Sequence, residues 1–157
     1  MDSIIVFVAK YFIVLSVFIL AWFWLKTTRP TKIELVVRLI IGGVLALVIS
    51  NISARLYYDP RPFVTEHIKP LFAHAPDNGF PSDHALFTSL IGFTVVAYSK
   101  KVGALLLAVA AMVGAARMAA HVHTLQDIVG SFVISAVAAA VAARVSRYRR
   151  ISRFWTH

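Results

Sequence analysis

The chain has 157 residues, of which 59% are hydrophobic and 15% are charged, and its formal net charge is +9. A typical soluble domain is about half apolar and about a quarter charged, and a globule of this length could not bury so many apolar side chains. The composition therefore excludes a disordered chain and argues against a soluble domain. The absence of cysteine excludes disulfides, thiolate nucleophiles and cysteine-ligated metals.

The sequence predicts an all-α, polytopic membrane helical bundle that forms a single domain over residues 1–157. The first apolar segment, residues 3–25, is long enough to cross a bilayer. It starts with an acidic residue and lacks a small-residue cleavage site, which disfavours a signal peptide. The segment 55–83 holds five of the six prolines, so it must lie outside the hydrocarbon or line a polar cavity. About five spans are predicted in all: 3–25, 33–54, 84–99, 102–120 and 126–144.

The positive charge is concentrated at one end of this bundle. With five spans, the 26–32 link, the Lys100-Lys101 turn and the tail from Arg144 onward share one side and hold ten of the sixteen basic residues. The positive-inside rule places that side in the cytoplasm. The N-terminus, the outer loop 55–83 and the 120–125 turn are then extracytoplasmic. The excess charge is therefore mainly an orientation signal, and no nucleic-acid partner is predicted.

Three polar segments meet at the predicted outer face, namely 55–62, 81–84 and 117–127. Ionisable groups at membrane depth are costly, so such a group of side chains indicates a functional site. Arginine offers a planar fork of donors that matches phosphate oxygens. A helix that starts after Pro81 would add free N–H groups that favour an anion. The predicted phosphate-binding residues are Arg55, Arg61, Ser82, Asp83 and Arg117.

Two histidines in these segments are suited to phosphoryl chemistry. His123 and Asp127 lie four positions apart, so the carboxylate can hold one tautomer of the imidazole and leave the other nitrogen as a nucleophile. His84 is a second imidazole that can protonate a leaving oxygen. Thr124-x-x-Asp127 is also typical of a helix capping box, and Asp127 can serve both purposes. The predicted catalytic residues are therefore His123, His84 and Asp127.

These segments resemble the three motifs of the type-2 phosphatidic acid phosphatase superfamily. The family's first motif ends in Arg-Pro, as Arg61-Pro62 does here. Its second motif is Pro-Ser-Gly-His, which residues 81–84 match except at Asp83. Its third motif, Ser-Arg-x5-His-x3-Asp, matches Arg117, His123 and Asp127, with Ala116 in place of the serine. The stretches 59–64 and 78–85 are similar to the bacitracin-resistance type of undecaprenyl-diphosphate phosphatase, in which Asp in the second motif is usual.

The resemblance implies a phosphatase of the bacterial inner membrane that uses no metal or other cofactor and acts on a polyprenyl diphosphate at the outer face. His123 would form a phosphohistidine, His84 would protonate the leaving lipid phosphate, and Asp127 would orient His123. Arg61, Arg117 and Arg55 would neutralise the phosphate with help from Ser82. The family's leading lysine would fall at Ala54, whereas the cation here is Arg55, so Arg55 is alternatively an interfacial anchor.

Several alternatives stay open at this stage. The same chemistry could act on phosphatidylglycerophosphate, phosphatidic acid or a diacylglycerol diphosphate. A zinc hydrolase could use His84, His121 and His123, although nearby arginines disfavour a cation. A non-enzymatic lipid-binding or transport subunit is a third possibility. The sequence does not fix the oligomeric state or the roles of four polar residues in the outer loop: Glu66, His67, His74 and Asp77.

Overall fold

The computed structural model describes the backbone of residues 1–154 and the side chains of residues 1–146. Within that part of the chain the fold is all-α, as predicted, and its only strand-like feature is an isolated bridge between Pro60 and Asn78. The predicted cytoplasmic side chains of Arg147, Arg149, Arg150 and Arg153 lie outside the described residues. The helices are α1 (Asp2–Lys26), α2 (Arg29–Leu56), α3 (Pro62–Thr65), α4 (Asp83–Val96), α5 (Lys100–Ala119) and α6 (Leu125–Phe154).

Among the described residues, four helices are long and apolar enough to cross a membrane: α1, α2, α5 and the Leu125–Ser146 part of α6. The third predicted span is shorter than expected, since α4 has 14 residues and ends at Val96 instead of residue 99. The chain leaves the helix there because Ser99 is the N-cap of α5, and its side chain accepts a hydrogen bond from the backbone N–H of Val102 at 3.3 Å. The predicted membrane bundle is confirmed, with four spanning helices and a shorter apolar one.

The short helix α4 lies at the centre of the bundle. It packs against α1, α2, α5 and α6, and eight of its 14 residues are buried. Small residues allow the close approach of its neighbours: a Cβ on Gly103 would lie 2.5 Å from the Cα of Val96. Because α4 is enclosed by protein, it does not need the length of a lipid-facing span.

At the end of the bundle where α2 begins, Arg38 is buried and bound on three sides. Its Nε donates to Ser146 Oγ of α6 at 2.9 Å, and its Nη2 donates to Glu34 one turn earlier in α2. Its guanidinium also lies 5.0 Å from the ring centre of Tyr98. These contacts connect α2, the α4–α5 connection and α6.

At the opposite end, the loop after α2 is held in place by Asn78. Its Nδ2 donates to the carbonyls of Ala54 and Tyr57, both at 3.0 Å. Its Oδ1 accepts from the backbone N–H groups of Asp59 at 2.9 Å and Phe80 at 3.0 Å. One side chain thereby fixes the last turn of α2 against the segment that leads into α4, and this sets the shape of the cavity described next.

Candidate active site

A cavity of about 450 Å³ lies at this end of the bundle, among the ends of α2, α4 and α5 and the loop 55–83. All three predicted polar segments contribute to its lining, although they are far apart in the sequence. The predicted site residues on its wall are Arg61, Asp83, His84, Arg117 and His123. The structure therefore brings together five of the eight predicted residues on one surface.

His123 lies in the turn between α5 and α6, and only 4% of it is exposed. Its Nε2 lies 3.4 Å from Arg61 Nη1 and 3.2 Å from Arg117 Nη2. A guanidinium can only donate hydrogen bonds, so Nε2 must be the acceptor in both contacts. The nitrogen that faces the cavity therefore carries the lone pair that a nucleophile needs.

Asp127 holds the other side of this imidazole. Its Oδ2 lies 3.1 Å from His123 Nδ1 and also accepts from the backbone N–H of Thr124 at 2.8 Å. Thr124 Oγ1 in turn accepts from the Asp127 backbone N–H at 3.3 Å, which completes a capping box at the start of α6. The carboxylate thus caps a helix and fixes the Nδ1–H tautomer of His123. Gly79 makes room for it, since a Cβ there would lie 2.9 Å from Oδ2.

The surroundings keep His123 neutral. Burial lowers the pKa of His123 below its usual value of 6.5, and the charges of Arg117 and Arg61 lower this pKa further. The hydrogen bond to Asp127 opposes this shift and does not cancel it. Neutral imidazole is the form that can attack phosphorus, so the site favours the reactive state of His123 at neutral pH.

Arg61 is the N-cap residue of α3 and is 5% exposed. Its Nη1 donates to the Val122 carbonyl at 2.7 Å, and its Nε donates to Asp77 at 2.8 Å. Its Nη2 reaches the Asn78 carbonyl at 3.3 Å. Partial burial would raise the pKa of Asp77, but the hydrogen bond and charge of Arg61 outweigh it and lower that pKa. The loop thus fixes the direction of the Arg61 guanidinium toward His123.

Arg117, near the end of α5, is 4% exposed. Its Nη2 contacts two imidazoles, His123 at 3.2 Å and His74 at 3.1 Å, and its guanidinium lies 5.4 Å from the ring centre of Phe72. Its Nε has no hydrogen-bond partner among the described residues. A buried guanidinium on a cavity wall, whose hydrogen-bond contacts are neutral imidazoles, is suited to bind an anion.

The second predicted segment divides between the cavity wall and the interior. His84 is partly buried and lies on the wall, and Asp83 is exposed there. Ser82 is fully buried beneath the wall, and its Oγ has no partner in the described part of the chain. Its carbonyl accepts from Ser131 Oγ of α6 at 3.0 Å, which joins α4 to α6 directly below Asp127.

The structure does not bring Arg55 to the cavity. Arg55 is exposed in the last turn of α2, whereas Ala54, one residue earlier, lies on the cavity wall. One residue is about 100° of helical rotation, which explains why neighbouring side chains point to different surroundings. The geometry fits the interfacial alternative for Arg55.

His121 is also outside the cavity wall. It adopts a left-handed backbone, with a φ of 61°, in the turn after α5, and its carbonyl accepts from the Phe63 N–H at 3.2 Å. In residues 1–146, no three His, Asp or Glu side chains form a group that could hold a metal ion. The alternative zinc centre at His84, His121 and His123 thus finds no arrangement to support it.

The structure adds polar neighbours of the site whose roles the sequence left open or which it did not single out. His74 and Asp77 both lie on the cavity wall and bind the two arginines. Asp59 accepts from Thr124 Oγ1 at 2.6 Å and so supports the cap that holds Asp127. No spacing rule links these loop residues to their partners, because the contacts cross 43 and 65 positions in the chain. Glu66 and His67 are exposed and away from the cavity.

The whole sequence and the fold are similar to those of known proteins. The sequence pattern of the PAP2 superfamily matches residues 32–151. Undecaprenyl-diphosphatase BcrC of Bacillus subtilis is 32% identical over 137 residues, which are 87% of this chain and 70% of that protein. The bacitracin transport permease protein BcrC of Bacillus licheniformis is 32% identical over 141 residues, 88% of this chain and 68% of that protein. The crystal structure of Aquifex aeolicus LpxE superposes with a TM-score of 0.68 at 20% identity, over 91% of this chain and 85% of that one.

Proposed function

This chain belongs to the PAP2 superfamily of phosphatases, and from that premise we propose that it hydrolyses undecaprenyl diphosphate to undecaprenyl phosphate and inorganic phosphate. One observation carries the chemistry: the lone pair of His123 Nε2 faces a cavity between two buried arginines. The name of the Bacillus subtilis relative supports the substrate. The site would work at the outer face of a bacterial inner membrane, where the positive-inside rule places this end of the bundle.

In the first step, His123 Nε2 attacks the terminal phosphorus in line with the bridging oxygen. The new P–N bond forms as the P–O bond to the bridge breaks, and His84 gives its proton to the departing lipid phosphate. The carboxylate of Asp127 stabilises the cationic imidazole of the phosphohistidine through Nδ1–H.

The two arginines supply the electrostatic part of catalysis. Arg61 and Arg117 both reach His123 Nε2 in the free site, so an incoming phosphoryl group meets their donors as it meets the nucleophile. The positive charge of both guanidinium groups acts on the equatorial oxygens of that phosphoryl group. Charge that spreads over these oxygens in the transition state is stabilised by donors already in place.

In the second step, water replaces the lipid phosphate in the in-line position. His84, now neutral, takes a proton from this water as its oxygen attacks phosphorus. The P–N bond breaks, inorganic phosphate leaves, and His123 regains its neutral form. The proton that His84 takes from the water replaces the one that it gave to the lipid phosphate, so the cycle as a whole needs no external acid or base.

The shape of the cavity supports a lipid substrate. Leu47, Ser50, Asn51 and Ala54 line it from one face of α2, at the spacing of successive helical turns. This stripe extends for roughly 10 Å along the helix and ends at Leu47, which is 43% exposed on the apolar surface. A diphosphate could therefore occupy the polar end while its prenyl chain leaves sideways into the hydrocarbon.

The deciding experiment is phosphate release by the purified full chain from undecaprenyl diphosphate, compared by kcat/KM with phosphatidylglycerophosphate, phosphatidic acid and diacylglycerol diphosphate. We expect undecaprenyl diphosphate to be preferred and His123→Ala to abolish release while the protein stays folded. An acid-labile phosphohistidine should be trapped in the wild type and be missing from that variant. Near-normal turnover by His123→Ala would overturn the mechanism, and preference for another lipid would overturn the substrate. Substrate binding without phosphate release would favour a transport or binding subunit.

A further inference from the structure

The loop segment 71–74 contacts Arg117 from two sides. The Leu71 N–H donates to the Ala120 carbonyl at 3.3 Å, which ties the segment to the end of α5. The Phe72 ring lies against the Arg117 guanidinium at 5.4 Å and against Lys10 Nζ of α1 at 4.8 Å. His74 then meets Arg117 Nη2 at 3.1 Å. The loop thus holds the arginine by an aromatic face and by an imidazole.

In the hydrogen bond between Arg117 and His74, only Arg117 can be the donor. Arg117 Nη2 has two hydrogens and contacts two imidazole nitrogens, Nε2 of His123 and Nε2 of His74. Each nitrogen must accept, because guanidinium has no lone pair to offer. The His74 proton is therefore on Nδ1, which lies 3.4 Å from the Ala75 carbonyl. His74 supports Arg117 only while Nε2 is unprotonated.

We propose that His74 is a positioning residue that orients Arg117 for the transferred phosphoryl group, and that protonation of His74 releases this arginine. The inference rests on the proposed function, in that it assigns a role in the same phosphate site. A protonated Nε2 would point an N–H at another N–H, so the hydrogen bond would be replaced by repulsion. The loop would then leave Arg117 without its second support, and the guanidinium would have to be ordered by each incoming phosphate.

The charges around His74 favour the supporting state at neutral pH. Arg61, Arg117, His84 and His123 face it across the cavity, and Lys10 lies beyond Phe72. The acidic groups on the same wall are Asp77 of its own loop and Asp83 at the start of α4. Burial lowers the pKa of His74 from 6.5, and the charges of Arg61 and Arg117 lower it further. The cationic surroundings thus keep His74 neutral, and acidification would act against the phosphate site through this residue as well as through His123.

The test compares His74→Ala and His74→Gln with His67→Asn in the full chain. Gln keeps an acceptor oxygen for Arg117 but cannot titrate, and His67 is an exposed histidine of the same loop that is absent from the cavity wall. At pH 7.5 we expect His74→Ala to weaken the binding of inorganic phosphate, measured by calorimetry, and to lower kcat/KM for undecaprenyl diphosphate, each by roughly tenfold. His74→Gln and His67→Asn should stay close to the wild type.

The second measurement is the pH dependence of phosphate affinity in the same variants. Between pH 7.5 and pH 4.5 the advantage of the wild type over His74→Ala in phosphate affinity should shrink, while His74→Gln should keep its advantage. Equal phosphate affinity and equal kcat/KM for wild type and His74→Ala would overturn the inference, as would a Gln variant no better than Ala. If phosphate binding depends on His74 but undecaprenyl diphosphate is not cleaved, the inference stands and the proposed substrate fails. If the lipid is cleaved and neither His74 variant differs from wild type, the proposed substrate stands and the inference about His74 fails.

Discussion

Each end of the bundle buries an arginine, and the partners of the two guanidinium groups differ. Arg38 is 5% exposed and donates to the carboxylate of Glu34 and the hydroxyl of Ser146. Arg117 is 4% exposed, but its hydrogen-bond contacts are two imidazole nitrogens. Within residues 1–146, no carboxylate lies within ion-pair distance of Arg117. The first cation is paired with a carboxylate of the protein, and the second contacts only neutral acceptors.

The difference shows that burial of a charge at membrane depth does not by itself mark a functional site. A buried ion pair compensates its own charge, and its main effect is on folding. A buried cation that contacts neutral acceptors keeps an uncompensated field at the cavity, which favours a phosphate. Whether the donors are already satisfied by acceptors of opposite charge is therefore what separates Arg38 from Arg117. Arg61, beside Arg117, is intermediate, since its Nε donates to the Asp77 carboxylate while its Nη1 contacts His123.

The largest expected effect comes from Arg117→Lys. Lysine keeps the charge but offers a single ammonium group, which cannot support His74 and His123 while it also presents a fork of donors to phosphate. We expect kcat/KM for undecaprenyl diphosphate to fall by roughly a hundredfold or more, with little change in the thermal unfolding of the detergent-solubilised protein. A variant with normal kcat/KM would show that the two arginines do not differ in the way proposed.

The matched change at the opposite end is Arg38→Met, which should affect folding instead. It removes the cation beside Glu34, whose side chain is only 18% exposed, and it removes the hydrogen bond to α6. Loss of one partner of a buried pair should cost roughly 3 kcal/mol in the free energy of unfolding, while kcat/KM of the folded fraction stays unchanged. The double variant Arg38→Met, Glu34→Leu should recover much of the stability. A large loss of kcat/KM without loss of stability would contradict the comparison.

The sequence predicted some of these buried polar residues and missed others. The motif spacing found Arg61, Arg117, His84, His123 and Asp127, because helix starts and membrane topology place these residues at one depth. It could not find His74, since a loop residue has no periodicity that predicts its partner. It also passed over Glu34 and Arg38 within a predicted apolar span, although their spacing of four is that of an ion pair on one helix face.

The end of α4 is a second place where the structure differs from the sequence-based prediction. Apolar residues continue past Val96, so hydropathy alone extended the span to residue 99. The helix ends earlier because the Ser99 side chain caps α5, a local hydrogen bond that overrides the apolar pattern. The one-residue offset at Ala54 and Arg55 is of the same kind: the sequence places a cation near the site, and only the helical phase decides which side chain lines the cavity.

The smallest expected effect is a shift in pH dependence, and it probes the Asp127 side of the cavity. Protonated His123 cannot attack phosphorus, so kcat/KM should fall as the pH drops through the pKa of His123. Because burial and the two arginines lower this pKa, the acid limb of the profile should lie below 6.5. Asp127→Asn removes the partner that opposes the shift, so the limb should move to still lower pH.

Asparagine suits this test because a single oxygen of Asp127 accepts from both His123 and Thr124, so an amide oxygen in its place can keep both hydrogen bonds. The tautomer of His123 is then preserved, and the shift of the limb reports the lost charge. The maximal kcat should fall as well, because the cationic phosphohistidine loses its counterion. Arg38→Met is the control, since it lies at the other end of the bundle and should leave the limb in place. A limb above 6.5, or one that moves to higher pH in Asp127→Asn, would show that the field around His123 does not have the sign derived from its two arginines.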